Sequence, residues 1–154
     1  MNSDRRARLA QLGLQLPEVS PPGGGYVPAV RQGNLVYVSG QVPMIDGKLV
    51  TTGKVGAEVT PEQARELTQR CALAALAAID SVAGLDSVVQ VVKVTGYIAS
   101  AEGFAGQPGV MDGASDLFVA VFDQAGRHAR TSVGVAELPL GSPVEVEVTV
   151  EVAD

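Results

Sequence analysis

The chain has 154 residues, of which 46% are hydrophobic and 18% charged, so it predicts one packed globular domain and excludes a disordered protein. Its 17 acidic and 11 basic residues give a net charge of −6, which argues against binding to a nucleic-acid backbone. Cys71 is the only cysteine, which excludes an intramolecular disulfide, and no apolar stretch reaches the roughly 18 residues of a membrane span. Because the N-terminus also lacks the apolar core of a secretory signal, we expect a cytoplasmic protein without membrane contact.

Residues 1–22 are predicted to form an N-terminal helix and a Pro/Gly-rich segment, ahead of a single domain over residues 23–154. The stretch MNSDRRARLAQLGLQL favours a short amphipathic helix with Leu9 and Leu12 on one side. The stretch PEVSPPGGGYVPAV that follows cannot be helical, because proline and glycine interrupt the helical pattern.

Three short strands and a long helix are predicted next. The strands run from Tyr26 to about Val30, from Leu35 to Ser39 and from Lys48 to Thr51. The helix begins at Thr60-Pro61-Glu62-Gln63, which supplies a cap residue, a proline at the first helical position and a capping-box glutamine. Apolar residues at a spacing of three to four continue it for about 22 residues, until Gly84 provides the expected C-terminal cap.

The second half of the chain alternates strands with one more helix. Val88 to Ala99 is apolar at nearly every position, which predicts a central strand covered on both faces. A helix is predicted from Val110 to Phe122, ended by Gly126, and strands follow at Arg130 and from Val144 to Val152. The order β-β-β-α-β-α-β-β predicts an α+β domain with a mixed sheet and two helices.

The last strand and the arginine before it are the main candidates for chemistry. Valine occupies every even position from Val144 to Val152, so one strand face is apolar and the other carries three glutamates. The planar fork of Arg130 suits bidentate recognition of a carboxylate, although it could equally pair with an acid at the surface. Glu145 could orient a water or move a proton if a cation lies nearby; otherwise it belongs to a solvated acidic face.

The spacing of these two residues limits how they can meet. In a simple hairpin between the two strands, Arg130 would lie opposite Val150, and Glu145 would lie roughly 17 Å along the strand from that point. Therefore either the two strands do not pair in this way, or the carboxylate that meets Arg130 comes from another subunit.

Other polar residues offer weaker signals. Tyr26 follows three glycines, and Ser39-Gly40-Gln41 ends a predicted strand, so both could face a cleft. His128 is the only histidine, which excludes a histidine-based metal cluster, and we predict neither a metal site nor an organic cofactor. A serine–histidine triad remains open by count, but no local pattern supports one.

Four segments of the chain resemble the Rid family of reactive intermediate deaminases, also called YjgF. Their order and spacing match over about residues 26–152, and the pattern ARxxVxVxxLPxxxxVExE is the most specific part. The matching segments are GGYVPAV at 24–30, GNLVYVSGQVP at 33–43, VGAEVTPEQAR at 55–65 and HARTSVGVAELPLGSPVEVEV at 128–148.

The resemblance implies a chorismate-mutase-like fold with two helices packed on one face of the sheet. It also implies a homotrimer with a cleft at each subunit interface. Members of the family hydrolyse enamines and imines such as 2-aminoacrylate to a 2-oxoacid and ammonia, without a cofactor. The partners implied are therefore a small carboxylate substrate and two further copies of the chain, with neither nucleic acid nor membrane.

The resemblance also assigns roles to residues of this sequence. By the motif match, Arg130 would bind the substrate carboxylate and Glu145 would orient the attacking water. Close relatives carry a pocket asparagine where this chain has VMDGASDLF, so Asp112 or Ser115 takes the nearest position. The predicted substrate-binding residues are Tyr26, Ser39, Gly40 and Ser115.

A second class of function fits the same residues. An arginine in an intersubunit cleft would also serve a non-catalytic trimer that binds small carboxylates or a protein partner. Older names of the family refer to ribonuclease activity, but the acidic balance and the 4% aromatic content argue against nucleic-acid binding.

Overall fold

The computed structural model describes residues 4–154, which form an α+β domain around a five-stranded mixed sheet, as predicted. Its helices are α1 (Arg5–Gln11), α2 (Pro61–Ala83) and α3 (Gln107–Phe122). Its strands are β1 (Ala29–Gln32), β2 (Leu35–Gln41), β3 (Met44–Ile45), β4 (Lys48–Leu49), β5 (Val88–Ala99), β6 (Ala129–Val135) and β7 (Val144–Val152). Three short 3₁₀ turns lie at Leu85–Ser87, Asp123–Gly126 and Pro139–Gly141.

The main sheet has the strand order β1-β2-β7-β5-β6. All neighbours are antiparallel except β5 and β6, which are parallel and are connected through α3. β3 and β4 form a separate two-stranded hairpin, so the predicted strand at 48–51 is shorter than expected and does not join the main sheet. The positive φ angles of Asp46 and Gly47, 51° and 76°, make the tight turn that closes this hairpin.

The alternation of β7 decides where the core lies. Each even-numbered valine from Val144 to Val152 is at most 2% exposed, and all five belong to the single apolar core beneath α2 and α3. These two helices pack on one face of the sheet, as predicted. We call the opposite face, which carries Glu145 and Glu147, the open face.

The long strand β5 is central, as predicted, but it is not covered on both faces within one chain. Val89 and Val92 are 49% and 39% exposed, because α2 and α3 cover only the other side of the sheet. An apolar run therefore identified a central strand correctly, but within residues 4–154 only one of its faces is covered.

The ends of several elements differ from the predictions for local reasons. The first strand begins at Ala29 and excludes Tyr26, because Pro28 has no N–H for a strand ladder. The capping box of α2 is confirmed: the Thr60 hydroxyl accepts from Gln63 N, and the Gln63 side chain accepts from Thr60 N. Helix α3 begins three residues earlier than predicted, since Gln107-Pro108 starts its first turn.

The N-terminal helix α1 packs against the rest of the domain. Leu9 is 2% exposed and joins the core, whereas Leu12 is the C-cap residue and is 37% exposed, so only Leu9 of the two leucines predicted on one side of the helix is buried. Arg5 and Arg8 donate to backbone carbonyls in the last turn of α3. Residues 1–3 of the predicted helix lie outside the described residues.

Candidate functional site

Four of the six predicted site residues surround one cleft. Tyr26, Ser39, Gly40 and Glu145 line a cavity of about 280 Å³, together with the prolines of the Pro/Gly-rich segment and the turn at Leu140. We call it the glutamate cleft. The roles of these four residues remain predictions.

An irregularity in β2 shapes this cleft. The pairing of β2 with β7 shifts register between Val38 and Gln41, so Ser39 and Gly40 bulge from the ladder. Ser39 donates from its hydroxyl to Val27 O at 2.7 Å and from its backbone to Pro28 O at 2.8 Å. These two bonds attach the segment before β1 to β2 and leave the ring of Tyr26, which is 58% exposed, at the edge of the cleft.

Glu145 reaches the cleft because residue 40 is a glycine. A Cβ atom at Gly40 would overlap the Oε1 atom of Glu145 and lie 2.9 Å from its Cδ. Burial raises the pKa of Glu145, and the negative charge of Glu147 on the same strand face raises it further. A half-buried carboxyl with a raised pKa is a better proton acceptor than an exposed carboxylate, which suits it to general acid–base chemistry.

The other two predicted residues lie in a second cleft. Ser115 and Arg130 line a shallow cavity of about 320 Å³ with Val119, Arg127 and His128, which we call the arginine cleft. Arg130 belongs to β6 and reaches over the start of α3. Its side chain is 23% exposed, so it lies partly within the domain rather than free at the surface.

Arg130 is oriented by three acceptors on α3. Its Nη1 donates to Asp112 Oδ1 at 2.9 Å and to Ser115 Oγ at 3.1 Å, and its Nη2 donates to Pro108 O at 3.3 Å. The pairing with an acid that we considered for this arginine is therefore present. Nε and the second N–H of Nη2 have no hydrogen-bond partner among residues 4–154, and this edge of the guanidinium suits a bidentate carboxylate.

The two clefts are separate within one chain. β6 and β7 do not pair, because β5 lies between them, so the simple hairpin does not form. Arg130 aligns with Val94 and through it with Val148, three residues from Glu145. The backbones of Arg130 and Glu145 are thus two strand spacings apart across the sheet and three residues apart along it, which together give a distance of roughly 14 Å. Arg130 also reaches the helix side of the sheet, whereas Glu145 lies on the open face.

One further polar residue, Tyr97, was missed by sequence reasoning. Tyr97 donates to Glu147 Oε1 at 2.6 Å, and this bond raises the pKa of Tyr97 to about 12. Glu147 therefore has a partner on the open face, where a solvated side chain was expected. No sequence signal could have found this pair, since it depends on the register of β5 against β7.

His128 was left without a role by the sequence, and the structure gives it two hydrogen bonds. Its Nε2 lies 2.9 Å from Ser115 Oγ, and its Nδ1 lies 2.6 Å from Gly126 O. Burial lowers the pKa of His128. The hydrogen bond to Gly126 raises this pKa in part, and the positive charge of Arg130 lowers it. The ring also packs edge-on against Phe118.

Within residues 4–154, no three or more His, Cys, Asp and Glu side chains are grouped to hold a metal ion. None of the helices in the same range combines the length and the apolar character that crossing a membrane requires.

A model of the endoribonuclease L-PSP family matches residues 18–152. The chain belongs to this family. The Rid and YjgF resemblance is thereby confirmed, since relatives of the chain bear the names 2-iminobutanoate/2-iminopropanoate deaminase and reactive intermediate deaminase TdcF.

Two relatives in the L-PSP family cover most of the chain. Protein TCP17 of Trypanosoma cruzi is 41% identical over 147 residues, which are 94% of this chain and 92% of that protein. A 2-iminobutanoate/2-iminopropanoate deaminase of Dermatophagoides farinae is 31% identical over 134 residues, covering 87% of this chain and 91% of the relative.

Solved structures agree with the L-PSP family fold. Protein Atu1372 of Agrobacterium tumefaciens, of unknown function, superposes with a TM-score of 0.90 at 40% identity, over 98% of this chain and 95% of that one. Escherichia coli TdcF with bound serine superposes with a TM-score of 0.67 at 22% identity, over 88% of this chain and 94% of that one. The second likeness supports the fold alone.

Proposed function

We propose that this protein is a cofactor-independent deaminase that hydrolyses reactive enamines and imines of the 2-aminoacrylate type to a 2-oxoacid and ammonia. Family membership and the deaminase named among its relatives support reactive-intermediate deaminase activity in general. The observation that carries the proposal is Arg130, which lines the arginine cleft and whose guanidinium is held by acceptors on α3.

Arg130 would bind the substrate carboxylate through Nε and Nη2. Asp112 and Ser115 occupy Nη1, so the guanidinium is held in place before substrate arrives, which reduces the ordering cost of binding. Asp112 also offsets part of the positive charge, which favours release of an anionic product.

Glu145 would act on the water. Its carboxylate accepts one proton as the water oxygen bonds to the carbon of the protonated imine and the C=N π pair moves to the nitrogen. That proton then passes to the nitrogen, and ammonia leaves as the C–N bond breaks, while the hydroxyl proton returns to Glu145 as the carbonyl of the 2-oxoacid forms. Ser39 and Gly40 border the same cleft, and Tyr26 covers its edge. We propose that these residues confine the substrate beside Glu145.

The separation of the two clefts supports an intersubunit site. Arg130 and Glu145 lie on opposite sides of one sheet, so a substrate of a few carbon atoms cannot touch both within one chain. A homotrimer would place the arginine cleft of one subunit against the glutamate cleft of the next. The open face of the sheet also exposes apolar side chains, which supports a partner copy on this face. They are Tyr37, 49% exposed, Val89, 49% exposed, and Val133, 39% exposed.

The test is ammonia release from 2-imino acids generated in situ. Arg130→Ala should lower kcat/KM by about 100-fold or more, because it removes a charge-assisted bidentate contact. Arg65→Ala is the matched control, since Arg65 also pairs with an acid of α3, Asp116, but at the exposed surface. Equal rates for native protein and Arg130→Ala would refute the proposal.

A second candidate is a non-catalytic module that binds small carboxylates. The contact between Arg130 and Asp112 favours it, because an arginine whose charge is partly neutralised suits reversible binding. Titration with 2-oxobutyrate would separate the two functions. Saturable binding that Arg130→Ala abolishes, without ammonia release from any imine, would support the binding module over the deaminase.

A further inference from the structure

A continuous hydrogen-bond chain crosses the arginine cleft. Arg130 Nη1 donates to Ser115 Oγ at 3.1 Å, Ser115 Oγ lies 2.9 Å from His128 Nε2, and His128 Nδ1 lies 2.6 Å from Gly126 O. Ser115 comes from α3, while His128 and Arg130 flank the first residue of β6. The proposed deaminase uses Arg130 but gives the histidine no task.

The carbonyl of Gly126, at the end of this series of hydrogen bonds, determines which atom donates in each of them. A backbone carbonyl only accepts, so His128 Nδ1 carries the ring proton and donates to Gly126 O. His128 Nε2 therefore presents its lone pair to Ser115, whose hydroxyl donates to it. Arg130 donates to the same hydroxyl oxygen, and its positive charge favours loss of the serine proton.

We propose that Ser115 is an activated nucleophile, with His128 as its general base, and that the arginine cleft hydrolyses short acyl esters that carry a carboxylate. A nucleophile within reach of a base, and a base held by a third group, is the arrangement of nucleophilic catalysis. This activity goes beyond the proposed deaminase and does not depend on Glu145.

The reaction would proceed in two steps. Ser115 Oγ bonds to the acyl carbon, its proton passes to His128 Nε2, and the ester C–O bond breaks as that proton moves to the leaving alcohol. Water then attacks the acyl-serine, gives its proton to His128 Nε2, and releases the carboxylic acid as the proton returns to Ser115. No oxidant, reductant or metal is required.

The surrounding charges favour such a substrate. Arg130 Nη1 lies 3.1 Å from Ser115 Oγ, so the positive charge of the guanidinium stabilises an oxyanion on the carbon bonded to that oxygen. Arg127 lines the same cleft and would attract a carboxylate on the acyl group. The charged groups around His128 are thus Arg127 and Arg130, with Asp112 behind Arg130 on α3, and burial keeps the ring in its basic form by lowering its pKa.

The experiment is labelling with diisopropyl fluorophosphate, followed by peptide mass mapping of the native protein. The expected result is one phosphoryl adduct on Ser115. The labelling rate should rise with pH as His128 loses its proton, and the protein should hydrolyse mono-p-nitrophenyl succinate faster than p-nitrophenyl acetate. His128→Gln should slow labelling and ester hydrolysis by about 100-fold.

Ser81→Ala is the matched control. Ser81 is also a helical serine, but its hydroxyl donates to Ala78 O and it lies on α2 outside the arginine cleft, so labelling should not change. An unlabelled Ser115, or labelling that is equal in the native protein and His128→Gln, would overturn the proposal. Because the mapping uses the native protein, the result stands even if a variant fails to fold, and it does not depend on ammonia release.

Discussion

At the scale of single residues, the position of Glu145 depends on the missing side chain of Gly40. Gly40→Ala would place a methyl group where the carboxylate lies, and only the flexible end of Glu145 needs to move. We therefore expect Gly40→Ala to fold normally and to lose deaminase activity by about tenfold or more. Steady-state kinetics together with circular dichroism would test this.

A double-mutant cycle gives the control for that prediction. If Gly40→Ala acts by displacing Glu145, then it should cost little further activity in a Glu145→Gln background. The effects of two substitutions on activity are not additive when both remove the same interaction. Full additivity of the two losses would contradict the mechanism.

The raised pKa of Glu145 also makes a prediction about stability. The native state binds this proton more tightly than the unfolded state, so the free energy of unfolding falls as the pH rises from the ordinary carboxyl pKa through the raised one. Glu145→Gln removes this loss. We expect a melting temperature about 1 to 2 °C above native protein at pH 7 and no gain near pH 4.

Glu151→Gln is the matched variant for this measurement, since it lies on the same face of β7. An equal rise in melting temperature for Glu151→Gln would mean that the effect reflects the net charge of −6 rather than the burial of Glu145. Thermal melts at several pH values would distinguish the two.

At the scale of elements, the contact between α2 and α3 positions Ser115 and Asp112 beneath Arg130. Gly113 lies at this contact, and a Cβ there would overlap the backbone oxygen of Arg65. Because backbone cannot yield as a side chain does, Gly113→Ala should destabilise the domain by about 2 kcal/mol and lower the melting temperature by roughly 4 to 8 °C.

Gly109→Ala on the same helix is the control. A Cβ at Gly109 meets no atom within 4 Å, and alanine favours helix over glycine by up to about 1 kcal/mol. We expect its melting temperature to be unchanged or higher. A Gly113→Ala variant as stable as Gly109→Ala would show that the helices can separate without cost.

At the scale of the whole molecule, the separation of the two clefts predicts complementation between inactive chains. Arg130→Ala lacks one half of the proposed site and Glu145→Gln lacks the other. In a mixed homotrimer with sites between subunits, each mixed assembly contains one site with both residues intact. Refolding the two variants together in equal amounts should therefore restore about one quarter of native activity.

Light scattering on the same samples would check the assembly, with about three times 15.8 kDa expected. Each variant refolded alone should stay inactive. If activity did not return in a sample that is trimeric and mixed, then both residues would have to act within one chain, and the intersubunit site would be wrong.

Local signals in the sequence determined the elements of this protein. The two-residue period of β7 assigned its valines to the core, and the capping box at Thr60 and Gln63 placed the start of α2, because both depend on atoms a few residues apart. The Pro/Gly-rich stretch gave no comparable signal, and Pro28 moved the first strand away from Tyr26.

Only the tertiary structure decided which residues meet. β5 lies between β6 and β7, although β6 begins 30 residues and β7 begins 45 residues after the end of β5, and no local period encodes that long-range pairing. This insertion separates Arg130 from Glu145, while α3 brings Ser115 to His128. The sequence by itself therefore determined the candidate residues, and the pairing of distant strands divided them into two clefts, because contacts across a sheet depend on register rather than on spacing.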